Sequence, residues 1–408
     1  MSKLITNTIR HTGASSDSLT FNSDGHATVE NNLTVDGTST LTGNVTASGT
    51  LTASNFSGRN IVINGAMNIA QRGTSAAATG FQTVDRWKFN GDWPGSAITQ
   101  AQSDVAAGTT PYEKGFRKAW KVTNVSQSSA GASNFIHIDT KLEAQDIANS
   151  GWNYTSASSK ITLSFWVKSS VAQTFYGYLY TSDGTEQQYP FSFALSADTW
   201  TKVTKTIPGH ANLTFNNDTG EGLRITIAQF YGTTYTDSGV TLDAWGAYSG
   251  TANLPDNTST WFTTNAATFE LTGVQLEVGD VATEFEHRSY GDELLRCQRY
   301  FETSYNPGVT VGSSSNVGGY YECHSSDNGD NVVFSPTYRV TKRAVPTDKF
   351  WKDDGTANQW TYSRESGGAG AGVTSFRSSQ THLNGYVDCG ASWVPCALHG
   401  HWSSEAEL

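Results

Sequence analysis

Between residues 160 and 168 the chain alternates. Ile161, Leu163, Phe165 and Val167 fall on one side, and Thr162, Ser164 and Trp166 on the other. A period of two marks a strand with one buried face. Similar stretches recur at 174–180, 189–195, 199–207, 223–231 and 268–276, with the turn dipeptides Asp183-Gly184 and Pro208-Gly209 between them. Short, evenly spaced strands punctuated by turns predict an antiparallel sandwich of the jelly-roll kind. It opens near residue 60, where Asn60-Ile-Val-Ile-Asn-Gly65 reads as a short apolar strand running into an Asn-Gly turn. Helical spacing is rare. Residues 140–149 can form one or two turns, and 290–301 is the best helix, with Leu294, Leu295, Cys297 or Gln298, and Phe301 following an acidic first turn at Asp292 and Glu293. Beyond it the β pattern returns at 319–324, 331–334, 374–377 and 383–388, interrupted by glycine-rich stretches at Gly318-Gly319 and 367–372, which predicts a compact knob.

The first 57 residues follow another rule. Val35, Leu41, Ala47 and Ala53 fall every six positions, Leu33, Val45 and Leu51 keep a second register of multiples of six, and Gly37, Gly43 and Gly49 punctuate the same period. This strip carries too little apolar surface to build a core alone, so in a monomer it is a mobile linker. Three copies could instead wrap into an intertwined β-stem with one small apolar residue per turn on its axis. The fold class expected is therefore mostly β: an elongated, oligomeric protein, a trimer if three copies wrap the stem, with an N-terminal stem (1–57), a central jelly-roll β-sandwich (58–289), a short connecting helix (290–301) and a C-terminal β knob (302–408).

Composition narrows the function classes. Of 408 residues only 15% are charged, the net charge is -11, and Lys and Arg are nowhere clustered, which argues against nucleic acid as a partner. No apolar run reaches the ~18 residues of a membrane span, and the start of the chain resembles no export signal, so a soluble protein assembled in the cytoplasm without membrane insertion is expected. The four cysteines, Cys297, Cys323, Cys389 and Cys396, crowd the last third and suggest a chain without disulfides, although one bond between Cys389 and Cys396 is an alternative to buried thiols.

Two segments carry a resemblance. Asn60-Ile-Val-Ile-Asn-Gly-Ala-Met-Asn-Ile-Ala-Gln-Arg-Gly73 with Asp85-Arg-Trp87 resembles the opening of a domain common in fibre proteins of tailed bacteriophages. The segment 269–279 with Thr283-Glu-Phe-Glu-His-Arg288 and Cys297-Gln-Arg-Tyr300 resembles its close. Between them, 163–168 and Trp200-Thr-Lys-Val203 are similar to strands of carbohydrate-binding-module jelly rolls. Lys342-Arg-Ala-Val-Pro346 and His401 to Leu408 are similar to terminal domains of such fibres. The resemblance implies a homotrimeric virion appendage, a tail fibre whose N-terminus docks to phage tail or adaptor proteins and whose distal domains bind a glycan of the bacterial cell surface. The alternatives are a structural virion component, either a head-attached fibre or an adaptor, and a polysaccharide-degrading tailspike.

Sugar recognition needs aromatic faces beside amides and carboxylates, because the C–H face of a sugar ring packs on a π system while its hydroxyls seek polar partners. In the knob, Trp351, Trp360, Tyr362 and Trp393 are the candidate ligand residues, Trp360 and Tyr362 foremost because they lie between Asp353-Asp354-Gly355 and the glycine run, in what reads as an exposed loop. In the sandwich, Trp166, Tyr176, Tyr178, Tyr180 and Tyr189 fall on or near strands. Glu277, Glu284, Glu286, Asp353 and Asp354 could supply a hydrolytic carboxylate pair, yet nothing in their spacing brings two together, and Glu284 and Glu286 beside His287 and Arg288 read as an ion-pairing cluster. No nucleophile elbow, phosphate loop or zincin motif is present, so no catalytic role and no cofactor are expected. His399 and His401 would share one side of a strand, and a three-fold axis could gather them into a metal site; two surface histidines are the simpler reading, and no metal is expected.

Overall fold

Alternation is realised where it was clearest. The strand Lys160–Ser169 buries Ile161, Leu163, Phe165 and Val167 and turns Trp166 outward. The computed structural model describes Thr8–Ile9, Leu19–Phe21, Ala27–Val29 and residues 58–95, 98–124, 129–325, 330–365 and 367–408. The six-residue repeat of the expected stem lies outside the described residues. The chain divides into two units, Met1–Ser54 and Asn55–Leu408. In the first, the three short strands form one antiparallel sheet, with Thr8 opposite Thr20 and Leu19 opposite Val29.

The second unit holds a sandwich of two six-stranded sheets. One runs in the order Gly246–Ala247, Gln187–Leu195, Gln173–Thr181, Glu221–Tyr231, Phe135–Glu143, Lys88–Asp92. The other runs Thr201–Pro208, Lys160–Ser169, Thr268–Val278, Lys118–Thr123, Thr99–Asp104, Ser75–Ala76. The named pairings within both sheets are antiparallel. Their facing sides pack one apolar core that includes Phe89, Trp120, Ile138, Phe165, Phe191, Ile225 and Phe269. Two expectations are corrected. Residues 60–62 form no strand, and the expected Asn-Gly turn spans 63–66, where Asn64 adopts a left-handed backbone (φ 58°) and its amide bridges the Ile69 and Asp85 carbonyls at 2.9 Å each. Residues 140–143 continue the strand, since Leu142 keeps the inward alternation of Ile136 and Ile138; the helix there is only Ala144–Ala148.

The two segments that carry the fibre resemblance meet each other. Glu286 accepts the Gly58 and Asn60 amides at 2.5 and 2.7 Å, and Arg288 donates to the Val62 carbonyl at 3.2 Å. Glu293 accepts the Asn64 amide, and Gln71 donates to the Phe301 carbonyl at 2.8 Å. The guanidinium of Arg86 lies 3.4 Å from the Tyr300 ring centre and pairs with Glu407, while that of Arg72 lies 3.7 Å over Phe301 and reaches Glu407 at 3.1 Å. Motif residues thus form a buried polar clamp that binds the two ends of the sandwich to the last residues of the chain. Glu284 and Glu286 are not on a strand; their carboxylates pair within the chain, with Lys114 and Arg288 respectively.

The helix Tyr290–Gln298, capped by Ser289 accepting the Asp292 amide at 3.2 Å, leads into the C-terminal sheet. Its spine is Pro395–Glu405, with which Phe301–Thr303, Tyr320–Ser325, Thr347–Trp351 and Gln359–Arg364 all pair. The glycine run is no loop: Gly367–Ser375 is a strand paired to Gln359–Arg364 and to Gly385–Asp388. Trp360 lies across Gly400, where a Cβ would fall 2.2 Å from its indole, so only glycine lets that ring into the core. Cys389 and Cys396 are joined as a disulfide, which corrects the expectation of a chain without one.

Candidate functional site

On the outer side of the first sheet, strand register assembles an aromatic and polar surface. Opposite one another lie Gln188, Tyr180, Arg224 and Lys141; then Pro190, Tyr178, Thr226, Asp139 and Lys88; then Ser192, Tyr176, Ala228, His137 and Asn90. The segment 232–256 folds over it, setting Tyr235, Tyr248 and Leu254 against Tyr178 and Tyr180. Tyr178 and Tyr180 are consequently buried, as is Tyr189 on the core side, and of the sandwich tyrosines named from the sequence only Tyr176 is partly exposed. Beneath the cover runs a polar relay: the Tyr178 and Tyr231 hydroxyls at 3.2 Å, Tyr231 and His137 Nδ1 at 2.9 Å, His137 Nε2 and Asp139 at 3.3 Å. Burial and the neighbouring Tyr178 push the Tyr231 phenol well above its ordinary range, the opposite of what an activated nucleophile needs. Burial raises Asp139, but the hydrogen bond and charge of His137, with Arg224, outweigh it and hold the carboxyl below its usual range. This relay is a packing device that engages Asp139 through Oδ2, while Oδ1 has no hydrogen-bond partner among the described residues.

The second sheet carries a pocket. Opposite Trp166 stand Lys202 on one neighbouring strand and Thr272 on the other, and Ser164 faces Gln275. Register slips between Thr272 and Gln275; there Gly273 takes a left-handed backbone (φ 63°), and a Cβ on it would meet the Phe116 ring at 2.6 Å, so both call for glycine. Phe116 is therefore held against Phe285 and His287, with ring centres at 4.9 and 5.1 Å. These rings and Trp166 line a pocket of about 370 Å³ whose remaining walls include Lys114, Ser164, Lys202, Thr283 and Glu284. His287 Nε2 donates to the Lys114 carbonyl at 2.8 Å, which fixes its ring, and Lys114 pairs with Glu284 at 3.3 Å. Aromatic walls with hydroxyl, ammonium and carboxylate groups among them suit a ligand with an apolar face and hydrogen-bonding edges. Of these residues the sequence singled out Trp166 for an aromatic contact; Phe285 and His287, two apart in the 283–288 motif, were the signal for the rest.

The four knob aromatics reach different surroundings. Trp360 is fully buried, its ring centre 4.2 Å from that of Phe334 and its Nε1 donating to the His401 carbonyl at 2.8 Å. It is a core residue on a strand, which corrects its placement in an exposed loop. Trp351 is half-buried against Tyr305 and Gly312. Tyr362 is half-buried beside Arg364 and packs on the same core as Trp360. Trp393 is 70% exposed, within the stretch between the two bonded cysteines. His401 is buried, stacked on Tyr305 at 3.9 Å, with Nε2 donating to the Ser315 carbonyl at 2.9 Å and Nδ1 facing the Ser304 hydroxyl at 3.2 Å, so neither nitrogen is open to a metal. His399 pairs with Asp353 at 2.7 Å, and Asp354 with Lys352 at the same distance. Glu277 accepts from Thr283 and Gln275 at 2.6 and 2.8 Å.

No protein-family model and no curated protein sequence matches this chain. Among solved structures, similarity is found to the N-terminal cellulose-binding domain of a Cellulomonas fimi β-1,4-glucanase, at 14% identity over 53% of this chain and 100% of that one, with a TM-score of 0.26. A family 11 carbohydrate-binding module of Clostridium thermocellum, in complex with a β-1,3-1,4-mixed-linked tetrasaccharide, is similar at 11% identity over 53% of this chain and 99% of that one, TM-score 0.24. The CBM22-1 xylan-binding domain of a Paenibacillus barcinonensis protein is similar at 12% identity over 52% of this chain and all of that one, TM-score 0.24.

Proposed function

We propose that this chain is a glycan-binding protein without catalytic activity, and that it serves as a homotrimeric bacteriophage tail fibre that attaches the virion to the bacterial surface. The glycan reading is carried by the pocket in which Trp166, Phe116, Phe285 and His287 stand beside Ser164, Thr283, Lys202 and Glu284. Such a site offers stacking and hydrogen bonds together, and the glycine bulge that seats Phe116 holds one wall in place before any ligand arrives. The fibre reading is supported by the paired resemblance at 60–87 and 269–300 and by the six-residue repeat upstream. Weak single-site binding would then gain from three linked copies. Titration of the full chain with neutral oligosaccharides tests the site: Trp166→Ala should weaken binding about tenfold, from the loss of roughly 1.4 kcal/mol of stacking. Unchanged affinity would remove the pocket from the reading. Mass by light scattering tests the assembly, and a monomer would sink the trimer.

A further inference from the structure

Beside the helix Tyr290–Gln298, where the sandwich meets the C-terminal sheet, lies a second cleft of about 390 Å³. Asn68, Gln71 and Gln102 line it from the sandwich, Tyr290 and Gln298 from the helix, and Arg339 from the C-terminal block. Tyr290 and Gln298 are two helical turns apart with the lining residue Leu294 between them, so all three share a face. Tyr290 is 54% exposed, an open ring at the rim. Gln298 is only 4% exposed, yet its Oε1 has no hydrogen-bond partner among the described residues, a state it shares with Gln188 and Gln229 but which here borders the cleft. Its terminal torsion is soft, so the amide can turn to meet an incoming hydroxyl. Arg339 is the one charged side chain among the described residues that line the cleft. It is 71% exposed and stands 3.9 Å from Glu302, a carboxylate already taken by Lys342 at 2.5 Å.

The Gln71 N–H groups are already given to Asp85 and the Phe301 carbonyl, and that of Gln102 to the Met67 carbonyl, so these amides offer their oxygens. With an open phenol ring, one guanidinium and no carboxylate among the described lining residues, the cleft matches a sugar that bears a carboxylate. The ring accepts the C–H face, the amides meet hydroxyls, and the guanidinium forks onto the acid. We propose that this cleft binds a uronic-acid-type sugar, as a site separate from the Trp166 pocket. The test uses the full chain with methyl glucuronide and methyl glucoside, which differ at a carboxylate against a hydroxymethyl group, followed by nuclear magnetic resonance titration. Methyl glucuronide should bind at least tenfold more tightly, and raising salt should erode that preference. Arg339→Gln, an exposed position with little bearing on folding, should abolish the preference, Tyr290→Ala should weaken the binding of methyl glucuronide, and Trp166→Ala should leave the preference intact. Equal binding of the two sugars, no binding of either, or a preference that survives Arg339→Gln would overturn the proposal. Loss of the preference in Trp166→Ala alone would assign the acidic sugar to the other pocket and equally overturn it.

Discussion

Replacing Asp85 with Asn should change how stability depends on pH. Asp85 is fully buried, and burial pushes its carboxyl from 3.8 up to about 6, although Arg72, 3.6 Å away, and hydrogen bonds from Gln71 pull it down. The folded protein therefore holds this proton more tightly than the unfolded chain does. Its stabilising effect is complete below about pH 4 and fades as pH rises through 6. A difference of about two pKa units corresponds to roughly 3 kcal/mol. Urea unfolding at pH 4, 5, 6 and 7 should show wild type gaining up to that amount over Asp85→Asn as the solution is acidified. Other carboxylates act the opposite way. Against the effect of burial, hydrogen bonds from Arg299 and Tyr300 hold Glu143 below its usual range, and the Asn60 and Gly58 amides do the same for Glu286, so both lose stabilisation in acid. Those losses are common to the two proteins, and only the difference reports Asp85. Parallel curves for wild type and variant would refute the reasoning, as would an Asp85 carboxyl resonance titrating below pH 4.

Further outcomes follow from the packing. Trp360→Ala should cost about 3 to 5 kcal/mol of stability, seen as an earlier unfolding midpoint, because a fully buried indole leaves a cavity among Phe334, Phe350 and Tyr320. Trp393→Ala, at an exposed site, should move that midpoint little. Reduction of the Cys389–Cys396 bond should lower stability by about 2 to 3 kcal/mol, since it closes a short loop, and thermal melts with and without reductant will show it. Gly273→Ala should disturb the Trp166 pocket through Phe116 and weaken the binding of neutral oligosaccharides, with tryptophan fluorescence as a second readout.

The sandwich was legible because its strands alternate strongly. Lys160–Ser169 and Glu221–Tyr231 sit where Ile161 to Val167 and Leu223 to Ile227 placed them. The spine strand Pro395–Glu405 was not, because its inward side reads Cys396, Leu398, Gly400, Trp402, Ser404, and two small residues blur the period. The glycine run misled because glycine is rare inside strands: Gly368 has room only for hydrogen, with a Cβ 2.3 Å from the Tyr362 carbonyl, while Gly367 and Gly372 face open space. Trp166 was visible as an outward aromatic on an alternating strand. Its partners were signalled only by Phe285 and His287 in the 283–288 motif, since Phe116, Phe285 and Lys202 are far apart in sequence and meet only in the fold.

The order of synthesis meets this topology in an awkward way. Among the described residues, the four strands that pair with Pro395–Glu405 all precede it in the chain, as does the Arg86 guanidinium that pairs with Glu407. While a ribosome is still adding residues 395–408, those edges have no mate, and Trp360 has no Gly400 to lie across. The sandwich can close early, but the C-terminal sheet must wait for its last-made strand, so a stalled or truncated chain should carry a folded body with a sticky, unpaired end.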